Sequence, residues 1–186
     1  TQPINLDKSL HSLQNMPSDN PGTFYGANPS LYLFDNSNLY FSDTNTYHSG
    51  ENAIPGHFTI DLGVSTFLSK VDIDFRPNWS FSGNNPNELE IWGRADLTDA
   101  ETLPAFESSG NSVISEPVST ASFEDAGWIL LHTESLDGSN TNDIELNFNS
   151  EQKSRFIRIR YTSTVGESAC QFTELEFSGY GSFPIN

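Results

Sequence analysis

Six stretches of this chain alternate apolar and polar residues with a period of two, and helical spacing is weak throughout. Phe58, Ile60 and Leu62 alternate with His57, Thr59 and Asp61 and stop at Gly63. Val71, Ile73 and Phe75 alternate with Lys70, Asp72 and Asp74 and stop at Pro77. Leu89, Ile91 and Gly93 interleave with Glu88, Glu90 and Trp92, and Ile144, Leu146 and Phe148 with Asp143, Glu145 and Asn147. Ile157, Ile159 and Tyr161 flank Arg158 and Arg160, and Thr173, Leu175 and Phe177 interleave with Phe172, Glu174 and Glu176. A seventh stretch, Trp128-Ile129-Leu130-Leu131 after Gly127, is continuously apolar and predicts a more buried strand. Successive side chains of a strand point to opposite faces, so each alternating set predicts one face on a core and one on water or a second layer.

Seven strands separated by turn residues predict an all-β fold, an antiparallel β-sandwich of the jelly-roll kind. The best helical candidate is Asp96 to Phe106, where Asp99 to Thr102 allow one turn. The serine-rich stretch from Glu107 to Asp125 reads as a long surface loop or an extra edge hairpin. Residues 1–29, with Asn20-Pro21-Gly22 and Asn28-Pro29, read as a lead-in strand and turns of the same domain, and residues 30–186 as the sandwich. No internal repeat is present. A chain of 186 residues suits one domain with a core of its own.

Composition narrows the function. The net charge of −17, with 8 Lys and Arg against 25 Asp and Glu, repels phosphate backbones and anionic lipid heads. Nucleic acid and membrane-surface partners are therefore not expected, whereas divalent cations and neutral ligands are compatible. The lone Cys170 excludes an internal disulfide framework and a multi-cysteine metal cluster. No apolar stretch is long enough to span a bilayer. With Thr1 in first place, a processed or excised chain is expected.

Three kinds of chemistry are open to these residues. None of the four histidines, His11, His48, His57 and His132, sits in a nucleophile or metalloprotease motif, and no enzyme activity is expected. Cys170 reads as a buried thiol. A calcium ion needs several oxygen ligands on an irregular loop, and Asp35 opens a loop dense in Asn36, Asn38, Asp43 and Asn45 that Glu174 of the last strand could pass beside. On residues alone, the same Asp and Asn are ordinary turn formers. The segment from Phe75 to Pro86 carries Trp79 between turn residues. That indole either tucks back over the sandwich end or stands exposed as a platform for a sugar ring.

Leu33-Phe34-Asp35-Asn36, Tyr47-His48-Ser49, Phe58 to Gly63, Phe75-Arg76, Asn87 to Gly93, Trp128 to Leu131, Phe156 to Arg160 and Glu174 to Gly179 follow one another in a characteristic order. In that order the chain resembles the discoidin, or coagulation factor type C, superfamily with its galactose-binding-like jelly roll. It is most similar to family 32 carbohydrate-binding modules and to C-terminal domains of Bacteroidetes surface lipoproteins from glycan-utilisation loci. The resemblance covers roughly residues 30 to 181.

It implies a structural calcium held by Asp35, Asn38 and Glu174, with Asp43, Asn45 and Thr46 competing with Asn38 for the loop position. The family's glycine after the acid is Asn36 here. The resemblance further implies a glycan site built from Arg76, with Asn84, Asn85 or Asn87 before the next strand, His48 from the early loop and Trp79 from the rim. The expected function is non-catalytic carbohydrate binding at an extracellular or bacterial outer-membrane surface, with the anchor outside this chain. The alternative is a protein-interaction module packed against other domains of a parent lipoprotein.

Overall fold

A computed structural model describes residues 2–77, 84–98, 101, 103–136, 143–166 and 168–184. Its strands are β1 (Ile4–Asn5), β2 (Ser12–Leu13), β3 (Tyr47–His48), β4 (Gly56–Phe75), β5 (Pro86–Arg94), β6 (Ser108–Ser109), β7 (Ser112–Val113), β8 (Ile129–Ser135), β9 (Asp143–Asn147), β10 (Ser154–Thr164) and β11 (Gln171–Pro184). The described residues also include two short α-helices, α1 (Pro29–Tyr32) and α2 (Thr120–Asp125), and 3-10 turns. Among the described residues no helix is long and apolar enough to cross a membrane.

The strands form an antiparallel β-sandwich. One sheet runs β2–β4–β10–β5–β8, and the other joins β9, β4 and β11 with β1 and β3 on the far edge of β11. The 20-residue β4 belongs to both. Its first half pairs with β10 from Gly56 to Thr66, and its second half with β11 from Val64 to Phe75. The two alternating runs expected to be separate strands are thus one strand. Gly63 is a bend within it rather than its end: its φ of 71° and the 2.6 Å that a Cβ would leave to the Leu10 carbonyl oxygen both demand glycine.

The core between the sheets holds Phe58, Ile60, Leu62, Val71, Ile73 and Phe75 of β4, Leu89 and Ile91 of β5, Ile157, Ile159 and Tyr161 of β10, and Leu175 and Phe177 of β11. These are the residues that period-2 alternation assigns to the inward face. Phe172 also points into this core, although it belongs to the opposite parity in the sequence. A register shift between Phe172 and Glu174 explains the exception, because one extra residue flips the facing of all that precedes it.

The outer face of the first sheet is covered too. Trp92, Phe123, Trp128 and Phe156 form a second apolar cluster, with Phe123 supplied by α2. α2 lies where a loop or hairpin was expected. Ser119 caps it by accepting a hydrogen bond from the Ser122 N–H, and the small β6–β7 hairpin precedes it. The run after Gly127 is less buried than its composition predicts: Ile129 is 40% and Leu130 44% exposed. Among the described residues β8 is an edge strand paired to β5, and of its apolar residues Leu131 alone packs, partly buried, against the central core.

Candidate functional site

At one end of the sandwich, the end of β4, the start of β5 and the start of β11 bring together residues far apart in sequence. Arg76 follows β4, Asn84 and Asn85 precede β5, and Gln171 opens β11 opposite His48 of β3. A 3-10 turn at Asp43–Asn45 lies over them, closed by a reciprocal cap between Ser42 and Asn45.

Asp43 is the centre of the polar contacts. Its Oδ1 accepts hydrogen bonds from Arg76 Nη1 at 2.8 Å, Gln171 Nε2 at 3.0 Å and the Tyr40 hydroxyl at 3.0 Å. Gln171 Oε1 accepts from Arg76 Nη1 at 2.7 Å and Asn84 Nδ2 at 3.3 Å. The Arg76 guanidinium lies 4.1 Å from the centre of the Tyr40 ring. Partial burial pushes the Asp43 carboxyl up, but hydrogen bonds from Gln171 and Tyr40 and the Arg76 charge outweigh it and hold the group below the usual carboxylate range. Burial and the bond to Asp43 push the Tyr40 hydroxyl up to about 12, so it stays a donor.

His48 is buried beside this network. Its ring packs against Tyr25 at 4.8 Å, and its Nδ1 accepts from the Gly50 N–H at 3.1 Å. The neutral imidazole therefore carries its proton on Nε2. Burial, with the nearby Arg76 charge, lowers its pKa to about 4. Because the folded value is depressed, the contribution of His48 to stability is complete above pH about 6.5 and is lost as pH falls toward 4. An NMR titration of the His48 ring should have its midpoint near pH 4.

The site residues expected from sequence are thus largely gathered. Arg76, Asn84, Asn85 and His48 lie in one neighbourhood, but Arg76, Asn85 and His48 are buried. Trp79 lies outside the described residues. The Asp43 side chain is about one third exposed, and Phe41, two residues before it on the same loop, is 78% exposed. Sequence reasoning missed Gln171, Tyr40 and Phe41. A polar residue wedged between Cys170 and Phe172 was the available signal for Gln171.

The expected calcium ligands Asp35 and Glu174 also meet. Glu174 Oε1 and Oε2 accept from the Asn36 and Ser37 N–H groups, each at 3.3 Å, and the Asp35 carboxyl lies within hydrogen-bond reach of Glu174. Asn36 sits at φ 64°, the left-handed conformation that glycine would otherwise supply. The oxygen donors suit a hard cation, but the Lys8 ammonium already rests on Glu174 Oε1 and lies 2.6 Å from Glu176 Oε1. Asn38 is exposed. A divalent ion does not fit beside that ammonium, and these residues as arranged do not make a calcium site.

Ser18, His57 and Asp19 also cluster. Ser18 Oγ lies 3.1 Å from His57 Nε2, and Asp19 Oδ1 lies 3.7 Å from the same nitrogen. A proton relay needs the acid and the nucleophile on opposite ring nitrogens, so this trio cannot act as one. The cavity beside it, about 40 Å³, is too small for a sugar ring. Burial pushes the Cys170 thiol well up, which makes it inert.

The sequence matches the family DUF5000, described as a domain of unknown function, over residues 34–181. No curated protein matches it by sequence. Its fold recurs in a SusE-like protein, at a TM-score of 0.68 and 21% identity over 94% of this chain and 99% of that one. It recurs in the family 32 carbohydrate-binding module of Clostridium perfringens NanJ, solved in complex with galactose, at a TM-score of 0.59 and 16% identity over 95% of this chain and 99% of that one. The C-terminal domain of a chitobiase from Bacteroides fragilis matches with a TM-score of 0.60 and 15% identity over 98% of this chain and all of that one. At these identities the likeness is one of fold: the galactose-binding-like sandwich expected from the discoidin resemblance.

Proposed function

We propose that this chain, which belongs to the DUF5000 family of domains of unknown function, is a non-catalytic carbohydrate-binding domain of a secreted or cell-surface protein. The observation that carries this reading is the Asp43–Gln171–Arg76 network at the end of the sandwich, with the exposed ring of Phe41 on the same short loop. A carboxylate accepts from sugar hydroxyls, an amide both donates and accepts, and an aromatic face stacks on the C–H side of a ring. In this reading Arg76 and Gln171 fix the Asp43 carboxylate, while Asp43, Asn84 and Phe41 meet the ligand. Neutral glycans suit the site, because its guanidinium is already matched by Asp43 and the chain is strongly acidic. The likeness in fold to a module solved with galactose and to a SusE-like protein supports both the ligand class and the surface location.

Retention on affinity gels containing neutral polysaccharides tests the reading. A shallow end of a sandwich buries few ligand atoms, so Kd is expected on the order of 0.1–1 mM. Phe41→Ala should weaken binding about 5–10-fold, the worth of one aromatic contact. Asp43→Ala should abolish retention while the fold remains intact by circular dichroism. No retention of the wild type on any gel, or equal retention of all three proteins, would reject the proposal.

One observation favours a second reading, a module that packs on another domain of its parent protein. Leu31, Leu39 and Phe41 are all more than half exposed within a short segment. Its mark would be the absence of glycan retention together with an interdomain contact that Phe41→Asp breaks.

A further inference from the structure

The lead-in segment brings a lysine to the place where the superfamily resemblance implies a metal. β1 pairs with β11 at Ile4–Gly179 and Asn5–Ser178, and the Leu6 N–H continues the ladder onto the Phe177 carbonyl at 2.8 Å. The chain then turns through the 3-10 turn at Lys8–Leu10, which Asp7 caps by accepting from the Ser9 N–H. This register sets Lys8 over the outward acids of β11. Its ammonium bridges Glu174 and Glu176, and its side chain is only 9% exposed. Lysine is rarely so buried unless its charge is matched.

Both oxygens of Glu174 are engaged from one side by the N–H groups of Asn36 and Ser37, and Oε1 also by the ammonium. The Leu33 carbonyl accepts from the Leu175 N–H at 2.9 Å, which fastens the same loop to the same strand. Three segments therefore converge on one carboxylate: the lead-in, the loop after α1 and the final strand. A bound divalent cation would tie such segments through shared oxygen ligands. Here a covalently attached cation of this chain does so.

We propose that the Lys8 ammonium takes the place of the structural cation, fastening loop 33–38 to β11 and making the fold independent of calcium. The inference does not rest on glycan binding and fails or stands separately from it.

Thermal melts and calorimetric calcium titrations of three proteins test it: the wild type, Lys8→Met, and Lys70→Met as a control. Lys70 also pairs with two carboxylates, Asp72 and Glu145, but its own side chain is more exposed, 26% against 9%. The wild type should melt at one temperature in excess EDTA and in millimolar CaCl2 and give no binding heat. Lys8→Met should melt several degrees lower than Lys70→Met, and Lys8→Arg should recover part of the loss. A calcium-dependent rise in the melting temperature of Lys8→Met alone would show that the two cations compete for the same carboxylates. The proposal is overturned if the wild type binds calcium and melts higher with it, or if Lys8→Met melts like Lys70→Met. If Lys8→Met fails to fold, the wild-type titration still decides.

Discussion

Arg158→Ala is expected to lower stability by about 3–5 kcal/mol, the usual cost of removing one partner from a buried charge network. Arg158 is fully buried on the outer face of β10, under α2 and the segment that carries Glu101. Its Nη2 donates to Glu101 Oε2 at 2.9 Å and lies 3.7 Å from Asp19 Oδ1, and its Nε donates to Thr59 Oγ1 at 3.1 Å. Its guanidinium also stacks 4.2 Å from the Trp128 ring centre and 4.8 Å from that of Phe123. Alanine would leave the Glu101 and Asp19 carboxylates without this cation and take the guanidinium from the Trp128 and Phe123 rings. For a chain of this size the loss corresponds to a fall in Tm on the order of 10 °C.

The pH dependence of that loss has a definite sign. Burial pushes the Asp19 carboxyl up to about 6, with Arg158 pulling the other way. An acid whose folded pKa is raised favours the fold below its unfolded pKa and ceases to as pH rises through the folded one. Without Arg158 the Asp19 value moves higher still, so the deficit of Arg158→Ala should be larger at pH 8 than at pH 5. Urea unfolding at the two pH values measures this, and an equal deficit at both would show that Asp19 does not feel Arg158.

Phe172→Ala should cost a similar amount, about 3–5 kcal/mol, read from the midpoint of urea unfolding at an unchanged m-value. Phe172 is fully buried between the sheets, with ring centres of Phe58 at 5.4 Å, Tyr47 at 5.6 Å, Phe75 at 5.9 Å and Tyr161 at 6.1 Å. Four aromatic rings from β3, both halves of β4 and β10 meet on this one side chain. The rings around it are themselves buried in a close-packed core, so most of the cavity is expected to remain. A loss below about 1 kcal/mol would mean that the β11 bulge relaxes and turns another residue inward.

Phe172 also marks where the sequence stops being readable. Alternation placed Ile157, Ile159, Leu175 and Phe177 inward because both faces of a regular strand follow from parity alone. A bulge changes parity without changing composition, so Phe172 was assigned to the wrong face. The same limit joined two expected strands into β4, since a glycine that ends a strand and one that bends it look alike in sequence. β8 reads as buried from its apolar run, yet edge or centre is a matter of pairing order. Arg76, Asn84, Asn85 and His48 were legible by family position, because strand ends fix where such residues emerge. Their burial was not, since it depends on Asp43 and Tyr40 from a loop with no periodicity. Lys8 carried no signal at all: its partner lies 166 residues away.

The bent strand β4 has a mechanical corollary. A beam clamped in both layers cannot let one layer peel away while the other stays folded. Amide protons along β4 should therefore exchange only through global opening, with nearly uniform protection on either side of Gly63, and calorimetry should give a single transition whose van't Hoff and measured enthalpies agree.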